Sequence, residues 1–258
     1  MTQEQFEDGL AYAEDNFLND RASHLWVDKQ LIKEKFNLDR KRVLDFGCGM
    51  GGMTLWFAKN WKCEVYGLDI DHHHIRIAQH LKQKYEVNNV QFDIRNIQKT
   101  PFRANEKFDA IFLHDVAEHI PLMELRQILK KLSKSLEVNG TILIAYPPWK
   151  SPYASHLFQD VPIPWSQFLP KSILYPLIEK NNRVLVGDEE SNLLEAFKGL
   201  NKLTYDKLIK LIRGLDLKPV FRKSHCVLNK FEWLRGYNIN FFPFDFLVTK
   251  EFLVLKNK

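Results

Sequence analysis

Along the first 40 residues, apolar side chains recur among charges at loosely helical spacing: Phe6, Leu10, Phe17, Leu25, Leu31 and Ile32. From Arg42 the rhythm changes to short apolar runs separated by amphipathic stretches. Val43-Leu44-Asp45-Phe46 is an apolar run ending in a glycine-rich turn and predicts a strand, and Met53 to Trp61 predicts the helix after it. The pattern then predicts a strand over Glu64 to Leu68 and a helix over His73 to Tyr85, with Ile75, Ile77, Ala78 and Leu81 inward. Strands follow over Val90 to Phe92 and Phe108 to Leu113, then an amphipathic helix over Leu122 to Leu136. A fifth strand, Thr141 to Ala145, is introduced by an Asn139-Gly140 turn.

After Ala145 the alternation stops. Seven prolines between Pro147 and Pro176 accompany Trp149, Tyr153, Phe158, Trp165 and Phe168, so residues 147–198 read as an insertion into the fold. The rhythm returns with a helix over Tyr205 to Gly214 and strands over Lys218 to Arg222 and Phe246 to Lys256. Strands alternating with helices imply βαβ units. The expected fold is therefore α/β, a doubly wound seven-stranded, mostly parallel sheet. Residues 1–40 form N-terminal helices and residues 147–198 an inserted cap, within one domain spanning 1–258.

Composition narrows the class. Of 258 residues, 45% are hydrophobic and 27% charged, which is ordinary for a globular chain that buries a sizeable core. No run of eighteen apolar residues predicts a membrane span, and the N-terminus lacks the pattern of a secretory leader. The three cysteines, Cys48, Cys63 and Cys226, are too few and scattered for a disulfide framework or a thiolate metal site, so a reducing cytoplasm is the expected compartment. The net charge of +5 is uneven: from Asn201 to Lys258 there are 12 Lys and Arg against 5 Asp and Glu, a net of +7, which leaves −2 for the rest. These cations are dispersed rather than in a run, and a solvated basic face is the default reading. Together with the aromatic stretches Trp165 to Ile178 and Phe241 to Phe246, they leave peripheral contact with an anionic membrane as an alternative to core and cap packing.

The candidate chemistry starts at the first strand-to-helix turn. Gly47, Gly49 and Gly52 satisfy G-x-G-x-x-G, where glycine permits a tight turn and close approach to a ligand, and the helix start offers N–H groups. That pattern alone fits NAD equally well. Asp45, two residues before the first glycine, opposes a pyrophosphate and suits a cation. Asp69, 22 residues after Gly47 at the next strand tip, is placed to accept from ribose hydroxyls.

Asp45-x-Gly47-x-Gly49-x-Gly51 resembles the first motif of class I S-adenosylmethionine-dependent methyltransferases, and Asp69 matches the ribose-binding acid of that Rossmann-like family. Asn89 to Phe92 with Asn96-Ile97 is similar to its third-strand motif, with Asn96 where an Asp is usual. His114-Asp115-Val116-Ala117-Glu118-His119 resembles its fourth-strand signature, and Leu136 to Thr141 the turn into its fifth strand. The likeness runs in register over Val43 to Ala145. It implies S-adenosylmethionine as cofactor, bound by Asp45, Gly47, Cys48, Gly49, Gly51, Asp69, Ile70, Asn96, Ile97, His114 and His119.

Methyl transfer to an O–H or N–H acceptor needs a proton removed. His156, inside the insertion, is the candidate catalytic base, and the competing reading is a loop histidine satisfied by backbone. His72-His73-His74 are consecutive and do not share a helix face, so no metal site is expected. Tyr146-Pro147-Pro148-Trp149 is similar to the Pro-Pro-aromatic motif of nucleic-acid amino-methyltransferases, but has Tyr where an Asp or Asn is needed and follows the wrong strand. The expected acceptor is a small molecule, glycan or lipid. An RNA or protein acceptor has only the basic C-terminal region for support, an NAD-dependent oxidoreductase is disfavoured by Asp45, and a non-catalytic cofactor-binding protein is the remaining alternative.

Overall fold

The computed structural model describes residues 1–21, 25–181, 192–234 and 236–258. Two helices open the chain. α1 (Gln3–Leu18) starts at a reciprocal cap in which Thr2 accepts from Gln5 N and the Gln5 side chain accepts from Thr2 N; α2 is Trp26–Lys35. The alternating part then runs β1 (Arg42–Phe46), α3 (Gly52–Asn60), β2 (Glu64–Asp69), α4 (His72–Lys84), β3 (Val90–Ile94), β4 (Phe108–His114), α5 (Leu122–Lys134) and β5 (Leu136–Tyr146). The insertion carries α6 (Lys171–Lys180) and α7 (Leu193–Gly199), and α8 (Tyr205–Ile212), β6 (Lys218–Cys226) and β7 (Val248–Lys256) close the fold.

The seven strands form one sheet in the order β3-β2-β1-β4-β5-β7-β6. The first five are parallel, and β7 is antiparallel to both β5 and β6. The order reverses between β1 and β4, which opens a crevice beyond their C-terminal ends. Consecutive residues of the central strands enter opposite cores. Leu44, Ile111, Leu113, Ile142 and Ile144 pack towards α5 and α8, while Val43, Ala110, Phe112, Leu143 and Ala145 pack with Ala13, Phe17, Leu31, Trp56 and Ile77 from α1–α4. A sheet covered on both faces needs uninterrupted apolar strands, and for that reason the pattern is continuous rather than alternating.

Asn139-Gly140 departs from the expectation. The strand begins at Leu136 and the pair lies inside it, where the register against β4 shifts between Phe108 and Ala110. Asn139 has φ +68°, and a Cβ on Gly140 would meet the Phe108 carbonyl at 2.9 Å. The turn chemistry was real, but it makes a bulge in a longer strand.

The insertion has a small core of its own, Leu157, Val161, Leu174, Ile178 and Leu193, and residues 182–191 of it lie outside the described residues. It is pinned to the body by Trp149 N–H donating to Leu203 O (2.7 Å) and Trp165 Nε1–H donating to Phe246 O (3.1 Å).

Candidate functional site

The turn after β1 winds through the left-handed region at Gly47, Gly49 and Gly51 (φ +71°, +51° and +80°). A Cβ on Gly47 would strike Val116 at 2.5 Å and one on Gly51 would strike Ala78 at 2.7 Å, whereas one on Gly49 would meet nothing within 4 Å. The first and last glycines let the loop pack, and the middle one borders open space. Asp69, at the tip of β2, accepts from Gly49 N–H (2.8 Å) and Asp71 N–H (2.9 Å). Its carboxylate ties the loop to the second strand and keeps lone pairs to spare. A close backbone, open space over Gly49 and an acid at the β2 tip fit an adenosyl ligand.

Asp45 lies beneath this loop rather than facing the space above it. It is 2% exposed and accepts from the Thr54 hydroxyl at 2.6 Å. Burial pushes its carboxyl above the ordinary value against the opposing pull of His114 and Thr54. Burial also pushes the Cys48 thiol well up. Ile70 is 72% exposed at the β2 tip, Ile97 is buried, and the Asn96 side chain accepts from Gln98 N–H (2.9 Å).

A chain of buried charges runs across the strand ends. His114, the last residue of β4, has Nδ1 2.9 Å from Asp28 Oδ1 on α2, and its Nε2 is buried without a hydrogen-bond partner among the described residues. The other Asp28 oxygen lies 3.4 Å from Lys250 Nζ on β7, which donates to both Asp115 oxygens (2.6 and 2.5 Å). Burial alone would lower the Lys250 ammonium, but Asp115 and then Asp28 outweigh it and hold the group above the ordinary lysine value. With Asp45 and Asp69 nearby, carboxylates outnumber the single ammonium, a balance suited to a cationic ligand.

Beyond Asp115 the chain makes one 3-10 turn, Ala117–His119. Asn201 holds this turn in place: its side-chain amide donates to the carbonyls of Ala117 (2.7 Å) and Ile120 (2.6 Å), and its N–H donates to Glu118 O. Glu118 is buried, and neither carboxylate oxygen has a hydrogen-bond partner among the described residues. His156 comes down from the insertion to place Nε2 3.4 Å from Glu118 Oε1, and its ring meets His119 edge-on at 4.8 Å between centroids. Its backbone is left-handed (φ +56°), a strained state for a non-glycine residue. Burial pulls the His156 imidazole down, yet the Glu118 charge holds it above the ordinary histidine value; burial leaves His119 below it.

The structure thus brings the glycine loop, Asp69 and His114 to one end of the sheet, and sets His119 and His156 beside Glu118. Reasoning from the sequence missed Asp28, Glu118 and Lys250 as members of the site. Glu118 directly precedes His119 in the stretch that resembles the fourth-strand signature. Nothing in the pattern marks Asp28, a charged residue in an amphipathic helix, or Lys250, one cation of a basic region. A separate cavity of about 750 Å³, lined by residues including Lys107, Arg126 and Lys134, lies at the opposite end of the sheet. Lys107 and Arg126 are engaged there with main-chain carbonyls.

Comparison with known proteins agrees with this geometry. The family described as "Methyltransferase domain" matches residues 37–185. A probable (S)-tetrahydroprotoberberine N-methyltransferase 2 from Papaver bracteatum is 28% identical over 54% of this chain and 37% of its own length. The phosphoethanolamine N-methyltransferase of Plasmodium falciparum is 28% identical over 46% of this chain and 44% of its own. The chain spans about a third of the length of the first curated relatives it matches. Among solved structures, coclaurine N-methyltransferase bound to N-methylheliamine and SAH superposes with a TM-score of 0.63 at 12% identity, covering 97% of this chain and 78% of that one. An S-adenosylmethionine-dependent methyltransferase from Clostridium acetobutylicum gives 0.59 at 12% identity, over 97% and 98%. At such identities the superpositions speak for the fold alone.

Proposed function

The chain belongs to the methyltransferase-domain family of S-adenosylmethionine-dependent enzymes, and on that premise we propose that it methylates an O–H or N–H group of a small-molecule, glycan or lipid acceptor seated beside the part of the insertion that carries His156. The observation that carries the acceptor side is the 3.4 Å approach of His156, from the insertion, to the buried Glu118. There the insertion holds an imidazole against an acid that has no hydrogen-bond partner among the described residues.

S-adenosylmethionine supplies an activated methyl group on a sulfonium. The residues do the positioning. Asp69 would take the ribose hydroxyls, the open space over Gly49 would admit the cofactor close to the backbone of the turn, and Asn96 and Ile97 would border the adenine. Asp45 and the Asp28–Lys250–Asp115 chain keep the floor anionic, which favours positive charge above it. With Asp28 accepting from Nδ1–H, His114 presents the lone pair of Nε2. Glu118 and His156 draw the proton from the acceptor, a contribution of about 10²–10⁴ in rate. The small-molecule acceptors named for the alkaloid and phosphoethanolamine enzymes support this class over a macromolecular one.

The test is calorimetric titration with S-adenosylmethionine, S-adenosylhomocysteine and NAD, followed by transfer of a labelled methyl group to pooled hydroxyl and amine acceptors. Binding of the adenosyl pair without NAD, and label in a small-molecule product, is the expected result. Binding of NAD alone, or label appearing only in RNA or protein, would overturn it.

A further inference from the structure

We infer that Glu118, His119 and His156 together bind one divalent transition-metal ion at the acceptor side of the cleft. One ligand atom from each residue lies within 4.8 Å of the others, close enough for a small side-chain adjustment to bring all three onto one ion. Geometry of this kind arises by chance among exposed acids, but Glu118 is not exposed. Its side chain is 4% accessible, and both oxygens are sealed from solvent with no hydrogen-bond donor among the described residues. A carboxyl group buried without donors is unfavourable unless a partner completes it. His156 stands 3.4 Å away, a long contact for an ion pair and short enough to close around an ion.

The supporting structure points the same way. Asn201 fixes the backbone at Ala117, Glu118 and Ile120, so two of the ligands sit on a rigid turn. The third arrives on a left-handed residue of the insertion, and ion binding gives a reason for that strained backbone. The two imidazoles are inclined at 61°, compatible with two ligands converging from different directions. Two histidines and one carboxylate leave coordination positions open, a set that suits zinc, iron(II), cobalt(II) or manganese(II).

The inference rests on the proposed function for where the acceptor enters and replaces one part of it: with the ion bound, Glu118 and His156 are ligands, and the ion takes over from them the activation of the acceptor. An ion held here binds an acceptor hydroxyl at an open position and lowers its pKa. The proton passes to water, the hydroxyl oxygen bonds to the methyl carbon, and the carbon–sulfur bond breaks with its electron pair going to sulfur. The acceptor class narrows to molecules whose methylated atom is a hydroxyl oxygen.

The experiment uses the full chain, stripped with a chelator and titrated with Zn²⁺ by calorimetry and with Co²⁺ by visible absorption, with S-adenosylhomocysteine titrated in parallel. One equivalent of each metal is expected, with visible Co²⁺ bands. Glu118→Gln keeps the side chain's shape, and His156→Ala alters only the insertion; each should weaken metal binding more than about tenfold and leave S-adenosylhomocysteine binding in place. The triple variant His72→Ala, His73→Ala, His74→Ala should bind as the parent does. Failure to bind a stoichiometric ion, parental affinity in Glu118→Gln, or loss of binding in the triple variant would overturn the inference. S-adenosylhomocysteine binding without metal binding would sink the metal site alone. Metal binding without S-adenosylhomocysteine binding would leave the site standing and sink the methyltransferase reading.

Discussion

His114 Nδ1 and Asp28 Oδ1 lie 2.9 Å apart although 86 positions separate them in the chain, and Asp28 is wholly buried. The contact joins the end of a central strand to a helix that precedes the alternating part of the fold. The N-terminal helices are therefore a wall of the site, and removing Asp28 should be felt at both His114 and Lys250. Asp28→Asn keeps the shape but takes a charge from a buried network, so a stability loss of about 3 kcal/mol is expected, read as a lowered urea midpoint. A loss below about 0.5 kcal/mol would show that Lys250 and Asp115 need no third partner.

Gly49 and Gly51 should respond differently to alanine. Gly51→Ala drives a Cβ into Ala78 and Phe92, so the folded state suffers. Gly49→Ala finds no protein atom and meets only the left-handed strain of about 1–2 kcal/mol. Its methyl group instead enters the space assigned to the cofactor. The expected outcome is a melting temperature lowered by only a few degrees, with S-adenosylhomocysteine affinity reduced more than about tenfold. Equal affinity would move the cofactor elsewhere.

Asp69 anchors Gly49 and Asp71 through backbone N–H groups and is assigned the ribose. Asp69→Ala should therefore weaken S-adenosylhomocysteine binding by about 2 kcal/mol, roughly thirtyfold in Kd. Calorimetry reads this directly, and an unchanged Kd would remove Asp69 from the site.

Lys29 gives a pH dependence with a definite sign. Its ammonium donates to the Asn16 and Asn19 carbonyls at the end of α1, yet burial lowers its pKa to about 8. The unfolded chain has the ordinary value near 10.4. Below pH 8 both states are charged and the desolvation penalty is complete. Between about 8 and 10.4 the unfolded state binds more protons, so this group's contribution to stability rises with pH. Relative to Lys29→Met, the parent should gain about 3 kcal/mol across that window, measured by denaturant unfolding at each pH. A gap that stays constant would mean the buried amine keeps its ordinary pKa.

His156→Gln and Glu118→Gln should each lower kcat by about 10² or more while leaving the KM for S-adenosylmethionine nearly unchanged, because both act on the acceptor side. A raised KM for S-adenosylmethionine with intact kcat would instead place the pair against the cofactor.

The order of elements, the doubly covered sheet, the glycine turn and the acid at the β2 tip were all readable from residue order, because each is a local or periodic property. A βα turn is built from neighbours, and strands buried on both faces announce themselves as continuous apolar runs such as Ile142 to Ala145. Asn139-Gly140 shows the limit of local reading: the same dihedral preference serves a turn or a bulge, and only pairing with β4 chooses between them. What the tertiary structure alone decided is which distant charges meet. Asp28, Lys250 and Asp115 come from a helix, the seventh strand and a loop, and His156 reaches Glu118 only because the insertion folds back over the end of the sheet. No spacing in the chain encodes those distances, since the energy that sets them comes from burying charge among partners that folding alone brings together.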